Sequence, residues 1–173
     1  MSVETPGPDW VLRLKPYVPG KPSSELKREL GIERVIKLAS NENPLGASPK
    51  AVEAMRAAAG EVHVYPDPGT FALRGALAGR YGVDADRVIV GNGSNELITL
   101  LTRAFCTPFH NVVYSQYAFI AYKIVSGAAG VRQREVAARG LEPDVDAMIA
   151  ACDADTRLLF LANPNNPTGT WTP

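Results

Sequence analysis

The feature that most limits how this chain can fold lies in its second half, where short apolar runs alternate with helical periods and polar loops. Val88-Ile89-Val90 is followed by Gly91-Asn92-Gly93-Ser94, and then by Leu97, Leu100, Leu101, Ala104 and Phe105 at helical spacing. Val112-Val113-Tyr114 predicts a second strand and residues 118–126 a second helix. A third strand is predicted over 131–136. Asp144 then caps a helix carrying Val145, Met148, Ile149 and Cys152, and residues 157–162 form a fourth strand. Strands alternating with helices imply right-handed crossovers, hence an α/β fold with a mostly parallel sheet and helices on both faces. The apolar run Leu158-Leu159-Phe160-Leu161 suits a strand covered on both sides. Ligands of such sheets sit beyond the carboxyl ends of the strands, where the loops 91–95 and 163–169 are expected.

Residues 1–36 read as an arm. Trp10, Val11, Leu12 and Leu14 lead into a stretch where Pro16, Pro19 and Pro22 forbid a continuous helix. Ser23 or Ser24 then caps a short helix ended by Gly31. Apolar groups on an arm without its own core must pack on the body or on another subunit. Further on, Ser48-Pro49 marks a helix start, with Val52, Met55 and Ala59 on one face and Gly60 as its stop. The turn-rich Tyr65-Pro66-Asp67-Pro68-Gly69 follows, and Thr70 opens a helix bearing Leu73, Leu77 and Tyr81 before Gly82.

Composition narrows the function classes. A chain of 173 residues is long enough for a single core, exposing ~8,200 Å² of roughly 27,000 Å² available unfolded. Eighteen basic residues against eighteen acidic ones remove the electrostatic footprint of a nucleic-acid binder. No apolar stretch approaches a membrane span, and Met1 to Pro6 has neither the basic start nor the apolar region of a secretory signal. A soluble cytoplasmic protein is expected. Cys106 and Cys152 are too few for a disulfide framework or a zinc cage. Cys106 and His110 lie close together without further ligands, so no metal site is expected, and His63 reads as a loop or interface residue.

Two loops carry the candidate chemistry. Gly91-Asn92-Gly93-Ser94-Asn95 joins a strand to a helix start, where unpaired N–H groups and the positive helix end favour an anion. A dinucleotide fingerprint needs a third glycine where Glu96 stands, and the next strand ends at Ser115 rather than at an acidic residue. No Gly-Lys-Ser/Thr occurs, which excludes a P-loop. The same glycines also serve a tight turn with no ligand, and the loop alone leaves both readings open. Asn163-Pro164-Asn165-Asn166-Pro167-Thr168-Gly169 presents three amides beyond a strand end, although loop asparagines commonly serve turns.

Taken together, the motifs resemble those of fold-type I, class II-type pyridoxal-phosphate aminotransferases, in particular the histidinol-phosphate aminotransferases. The resemblance spans Leu14 to Trp171. It is carried by Tyr17-Val18-Pro19-Gly20-Lys21, by Lys37 to Gly46 (KLASNENPLG), by Tyr65-Pro66-Asp67 and by Gly91 to Glu96 (GNGSNE). Tyr117-Ala118-Phe119 and Asn165-Asn166-Pro167-Thr168-Gly169 complete it. The last motif is shared by many fold-type I enzymes, whereas the Lys37 to Gly46 segment is far more specific.

The resemblance implies residues 1–36 as an arm and 37–173 as the first part of the cofactor-binding large domain. It implies pyridoxal 5'-phosphate as cofactor. The backbone amides of Ser94 and Asn95 would hold its phosphate, Tyr117 would stack on its ring, and Asn166 would donate to its 3'-oxygen. Tyr65 would reach the partner's cofactor phosphate across a homodimer, while Tyr17 and Asn43 would lie on the substrate side. The implied reaction moves an amino group between glutamate and imidazole acetol phosphate. The Schiff-base lysine lies beyond Pro173 in the family, and none of Lys15, Lys21, Lys27, Lys37, Lys50 or Lys123 sits in its motif. No catalytic residue is therefore assigned, and the chain alone is expected not to transaminate. An aromatic amino-acid aminotransferase shares much of this pattern. A non-catalytic dimerisation or binding module is the competing reading from another class.

Overall fold

The structure is a computed structural model that describes residues 7–17, 19–38 and 40–173. Prolines and glycines set the limits of its first helices. The single turn α1 (Asp9–Leu12) follows Pro8, and α2 (Ser23–Leu30) follows Pro22 and stops at Gly31, whose φ of 63° ends the helix in the left-handed region. Helix α3 (Pro49–Ala58) has Ser48 as N-cap and proline at its first position, as predicted. Helix α4 (Phe71–Tyr81) runs from Thr70 to Gly82. The chain divides into two compact units: Val18–Ile89 forms one, and Met1–Tyr17 with Val90–Pro173 forms the other.

The strand predicted at Val88-Ile89-Val90 is not formed. Val88 is extended, with φ −107° and ψ 120°, but this segment finds no ladder partner among the described residues. A strand is defined by pairing, and local β-propensity supplies only the extended backbone.

In the larger unit the alternation holds. Helix α5 (Gly93–Phe105) precedes β1 (Asn111–Ser115), α6 (Ile120–Ala128), β2 (Arg132–Val136), α7 (Val145–Ala150) and β3 (Thr156–Phe160). The three strands are parallel in the order β2-β1-β3, with Val113 level with Arg134 on one side and Leu159 on the other. The central strand β1 is buried along its whole length. Val112 and Tyr114 share one face, where they join Ile98 of α5, Ala121 and Tyr122 of α6, and Phe160. The Tyr122 and Phe160 rings stack with centroids 4.6 Å apart. By the two-residue period Val113 points to the opposite face, where α7 packs on β1 with Met148 fully buried. Helices thus lie on both faces, as expected, but Leu159 at the open side of β3 remains 38% exposed.

The segment 10–14 packs within the larger unit. Trp10 lies so close to Gly130 that a Cβ added there would meet the indole at 2.9 Å, and Leu14 closes in the same way on Gly127. Gly130, with φ +70°, serves both the turn after α6 and this close approach.

Candidate functional site

The 91–95 loop leads into α5 without a strand before it among the described residues, and the 163–169 loop follows the carboxyl end of β3. At the first, Gly91 and Asn92 turn into α5, with the Gly93 N–H bonded to the Gly91 carbonyl at 2.8 Å. Glu96, in the first turn, takes the Asn92 N–H at 2.6 Å on Oε2. The N–H groups of Ser94 and Asn95 have no acceptor among the described residues. They are exposed donors at the positive end of a 13-residue helix. Sequence reasoning used Glu96 to exclude a dinucleotide fingerprint and as the end of the Gly91 to Glu96 motif. Its role in holding the turn was missed because the Asn92–Glu96 spacing is one longer than a capping box.

At the second loop, Asn165 is buried and Asn166 half-buried. The Asn165 Nδ2 donates to Thr168 Oγ1 at 2.8 Å and to the carbonyl of Tyr117 at 3.1 Å. This bond ties the predicted ring-stacking residue to the residue that precedes the predicted 3'-oxygen donor, Asn166. Tyr117 stands two residues beyond β1 with φ +59°, a left-handed conformation uncommon for an aromatic residue, and the residue is 48% exposed. Tyr17 and Asn95 line a shared cavity of about 350 Å³ with Phe119, Ile120 and Ile124. Lys123, which lines a smaller cavity with Tyr117, is paired with Glu135 at 3.2 Å.

The remaining two predicted residues lie in the other unit. Tyr65 is 99% exposed. Two residues on, Asp67 accepts from the N–H groups of Phe71 at 2.7 Å and Gly69 at 2.9 Å. These bonds, the Phe71 one above all, hold its carboxyl below the usual range and anchor the start of α4. Asn43 spends its amide on its own turn, donating to the Gly46 carbonyl at 2.9 Å and accepting from the Leu45 N–H at 3.0 Å.

Residues 33–173 match the family described as Aminotransferase class I and II. The chain belongs to that family. It is 53% identical to histidinol-phosphate aminotransferase 2 of Pseudomonas aeruginosa, over 99% of this chain and 46% of that protein. With the enzyme of the same name from Nitrosospira multiformis it shares 49% identity, over 100% of this chain and 45% of that one. The chain therefore spans about half the length of the curated relatives it matches. Its structure is similar to that of histidinol-phosphate aminotransferase from Sinorhizobium meliloti, solved in complex with pyridoxal-5'-phosphate. There the TM-score is 0.86 at 27% identity, covering 99% of this chain and 46% of that one. The fold is accordingly that of the first part of a fold-type I aminotransferase.

The residues present in this member of the aminotransferase family fit a phosphorylated aromatic cofactor. Two helix-start donors lack acceptors among the described residues, the half-exposed Tyr117 stands beyond a strand end, and an amide loop is tied to its backbone carbonyl. A Cβ at Gly91 would meet Glu96 Oε2 at 2.8 Å, so the turn before the donors admits only glycine without rearrangement. No helix among the described residues is long and apolar enough to cross a membrane.

Proposed function

We propose that this chain is the front part of a cytoplasmic, homodimeric histidinol-phosphate aminotransferase. Such an enzyme moves an amino group between glutamate and imidazole acetol phosphate, giving 2-oxoglutarate and histidinol phosphate. The observation that carries the reading is the agreement across the whole chain, near 50% identity, with relatives of that name. Residues 1–36 are read as its arm and 37–173 as the first part of its large domain. Pyridoxal phosphate, when bound, supplies the electron sink that lets an amino group change carbon skeletons.

In this reading the N–H groups of Ser94 and Asn95 bind the phosphate ester at the α5 N-terminus. The Tyr117 ring covers one face of the pyridine, excluding water there and fixing its tilt. Asn166 donates a hydrogen bond to the 3'-oxygen and so biases the protonation at that atom. Tyr65, fully exposed, reaches the partner's phosphate in the homodimer. Tyr17, beside Asn95 in the shared cavity, faces the substrate's own phosphate. Asn43 acts on the substrate side through an amide that also holds its turn.

The protein as its native host makes it tests this. Its intact mass is measured, it is reduced with borohydride in the presence of pyridoxal phosphate, and it is assayed with 2-oxoglutarate and either histidinol phosphate or phenylalanine. A single lysine adduct and preference for histidinol phosphate are expected. Preference for phenylalanine would make it an aromatic amino-acid aminotransferase. Absence of both adduct and turnover would leave a binding module.

A further inference from the structure

Of the three amides in the 163–169 loop, only Asn166 has a role in the reading above, yet Asn165 is the most constrained. It is 4% exposed. Its backbone N–H donates to the Thr170 carbonyl at 2.7 Å, and its carbonyl accepts from the Gly169 N–H at 2.8 Å. Its Nδ2 spans from Thr168 Oγ1 to the Tyr117 carbonyl, 48 residues away in sequence. A carbonyl can only accept, so the Tyr117 oxygen dictates which end of the amide faces it. The Oδ1 is thereby turned into a buried position with no hydrogen-bond partner among the described residues. A buried acceptor left unpaired opposes folding, and the two bonds that Nδ2 donates hold the amide in this orientation against that cost. Tyr117, in turn, holds φ +59°. A bulky residue keeps such a backbone only where its surroundings over-determine it. On its amino side the Gln116 N–H is held by the Val136 carbonyl at 2.6 Å; on its carboxyl side the Tyr117–Ala118 peptide is held at its N–H by the Ser115 carbonyl at 3.2 Å and at its oxygen by Asn165.

We infer that Asn165 is a positioning residue for the cofactor ring. Its single amide ties the peptide that aims the Tyr117 ring to the loop that bears Asn166, so the contacts to the ring's face and to its edge keep one spacing. The inference rests on the cofactor roles proposed above for Tyr117 and Asn166. Asn165 acts through both of them.

The test uses the protein as its native host makes it. Its variants are Asn165→Asp, which keeps the shape but removes both donated bonds, and Asn165→His, whose Nδ1–H returns one donor at a similar distance from the backbone. Backbone ¹³C shifts of Tyr117 report its left-handed conformation without any cofactor, the Met148 methyl signal reports the core, and induced circular dichroism reports added pyridoxal phosphate. In Asn165→Asp the Tyr117 shifts are expected to leave the left-handed pattern while Met148 stays put. Cofactor dissociation rises about tenfold, the scale of one hydrogen bond, and Asn165→His restores both readouts. Unmoved Tyr117 shifts in Asn165→Asp overturn the inference, and so does a Met148 signal that moves with them. If Asn165→Asp does not fold, the histidine variant decides alone: native Tyr117 shifts and cofactor binding support the tie, and their loss overturns it. If Tyr117 moves in Asn165→Asp but the unsubstituted chain takes up no cofactor, the tie between the loops stands and the cofactor reading of this chain is what fails.

Discussion

Gly91 shows how one missing methyl group sets the geometry of the proposed phosphate site. A Cβ there would fall 2.8 Å from Glu96 Oε2 and 3.2 Å from Leu97 Cδ2. The same Oε2 holds the Asn92 N–H, so an added methyl group pushes the carboxylate off its donor and leaves that donor unpaired at the helix start. Gly91→Ala is therefore expected to cost about 1 kcal/mol, comparable to losing a helix cap, as read from urea denaturation. An unchanged unfolding midpoint would show that the carboxylate does not hold the turn. Asp67 plays the corresponding part for α4 through two backbone N–H groups. The Tyr-Pro-Asp motif thus contains one residue for the fold beside one proposed for the partner's site. Only the second of these was foreseen from sequence, because an aspartate in a turn looks the same whether it is free or bonded.

At the scale of elements, α7 separates two side chains that periodicity alone placed on one face. Met148 is fully buried against β1, whereas Ile149 is 61% exposed. Met148→Ala is expected to lose about 3 kcal/mol, as for a core side chain replaced by a cavity, and Ile149→Ala less than about 0.5 kcal/mol. Equal losses from the two substitutions would mean that α7 packs differently from the geometry described. Helix limits such as Ser48-Pro49, Gly31 and Gly82 were legible because their signals are local: a fixed φ, a missing donor, a left-handed glycine. The presence and parallel direction of β1, β2 and β3 followed from the alternation of strand and helix patterns. Val88-Ile89-Val90 was misread because pairing depends on a neighbour that three residues cannot announce. Asn165 escaped because its decisive bond reaches 48 residues back to a backbone carbonyl, which no spacing rule anticipates.

For the molecule as a whole, unpaired edges and exposed apolar groups set how the chain behaves in solution. Among the described residues β2 and β3 each pair on one side only, and Leu159 of β3 and Leu161 just beyond it stand exposed. In the other unit Phe71, Leu73 and Tyr81 of α4 are exposed as well. Free edges beside apolar surface favour association, so sedimentation is expected to show species that grow with concentration. A monomer at every concentration would contradict this. Titration limits stability from both ends. Asp153 is held below its ordinary 3.8 chiefly by the Asn111 amide at 2.8 Å, with the Asp155 N–H and the Arg134 charge adding to it. Asp144 is lowered by the Ala147 N–H and then by Arg139, and Asp67 as described. A carboxyl with a lowered folded pKa stabilises fully above its unfolded value, and this contribution disappears as pH falls through the folded one. Stability should therefore decline below about pH 4, where the unfolded chain's carboxyls begin to take up protons. At the alkaline end, burial, with Glu135 adding to it, pushes Tyr114 from 10.0 up to about 12. Its neutral hydroxyl donates to Gln133 Oε1 at 2.7 Å. The folded state keeps that proton longer than the unfolded one, so this contribution is whole below pH 10.0 and fades as pH rises toward about 12. Urea midpoints measured across pH should fall on both sides, with Asp153→Asn flattening the acid limb and Tyr114→Phe the alkaline one. An acid limb unchanged in Asp153→Asn would remove the Asn111–Asp153 contact from the account, because that carboxylate is the group the two strand ends β1 and β3 share.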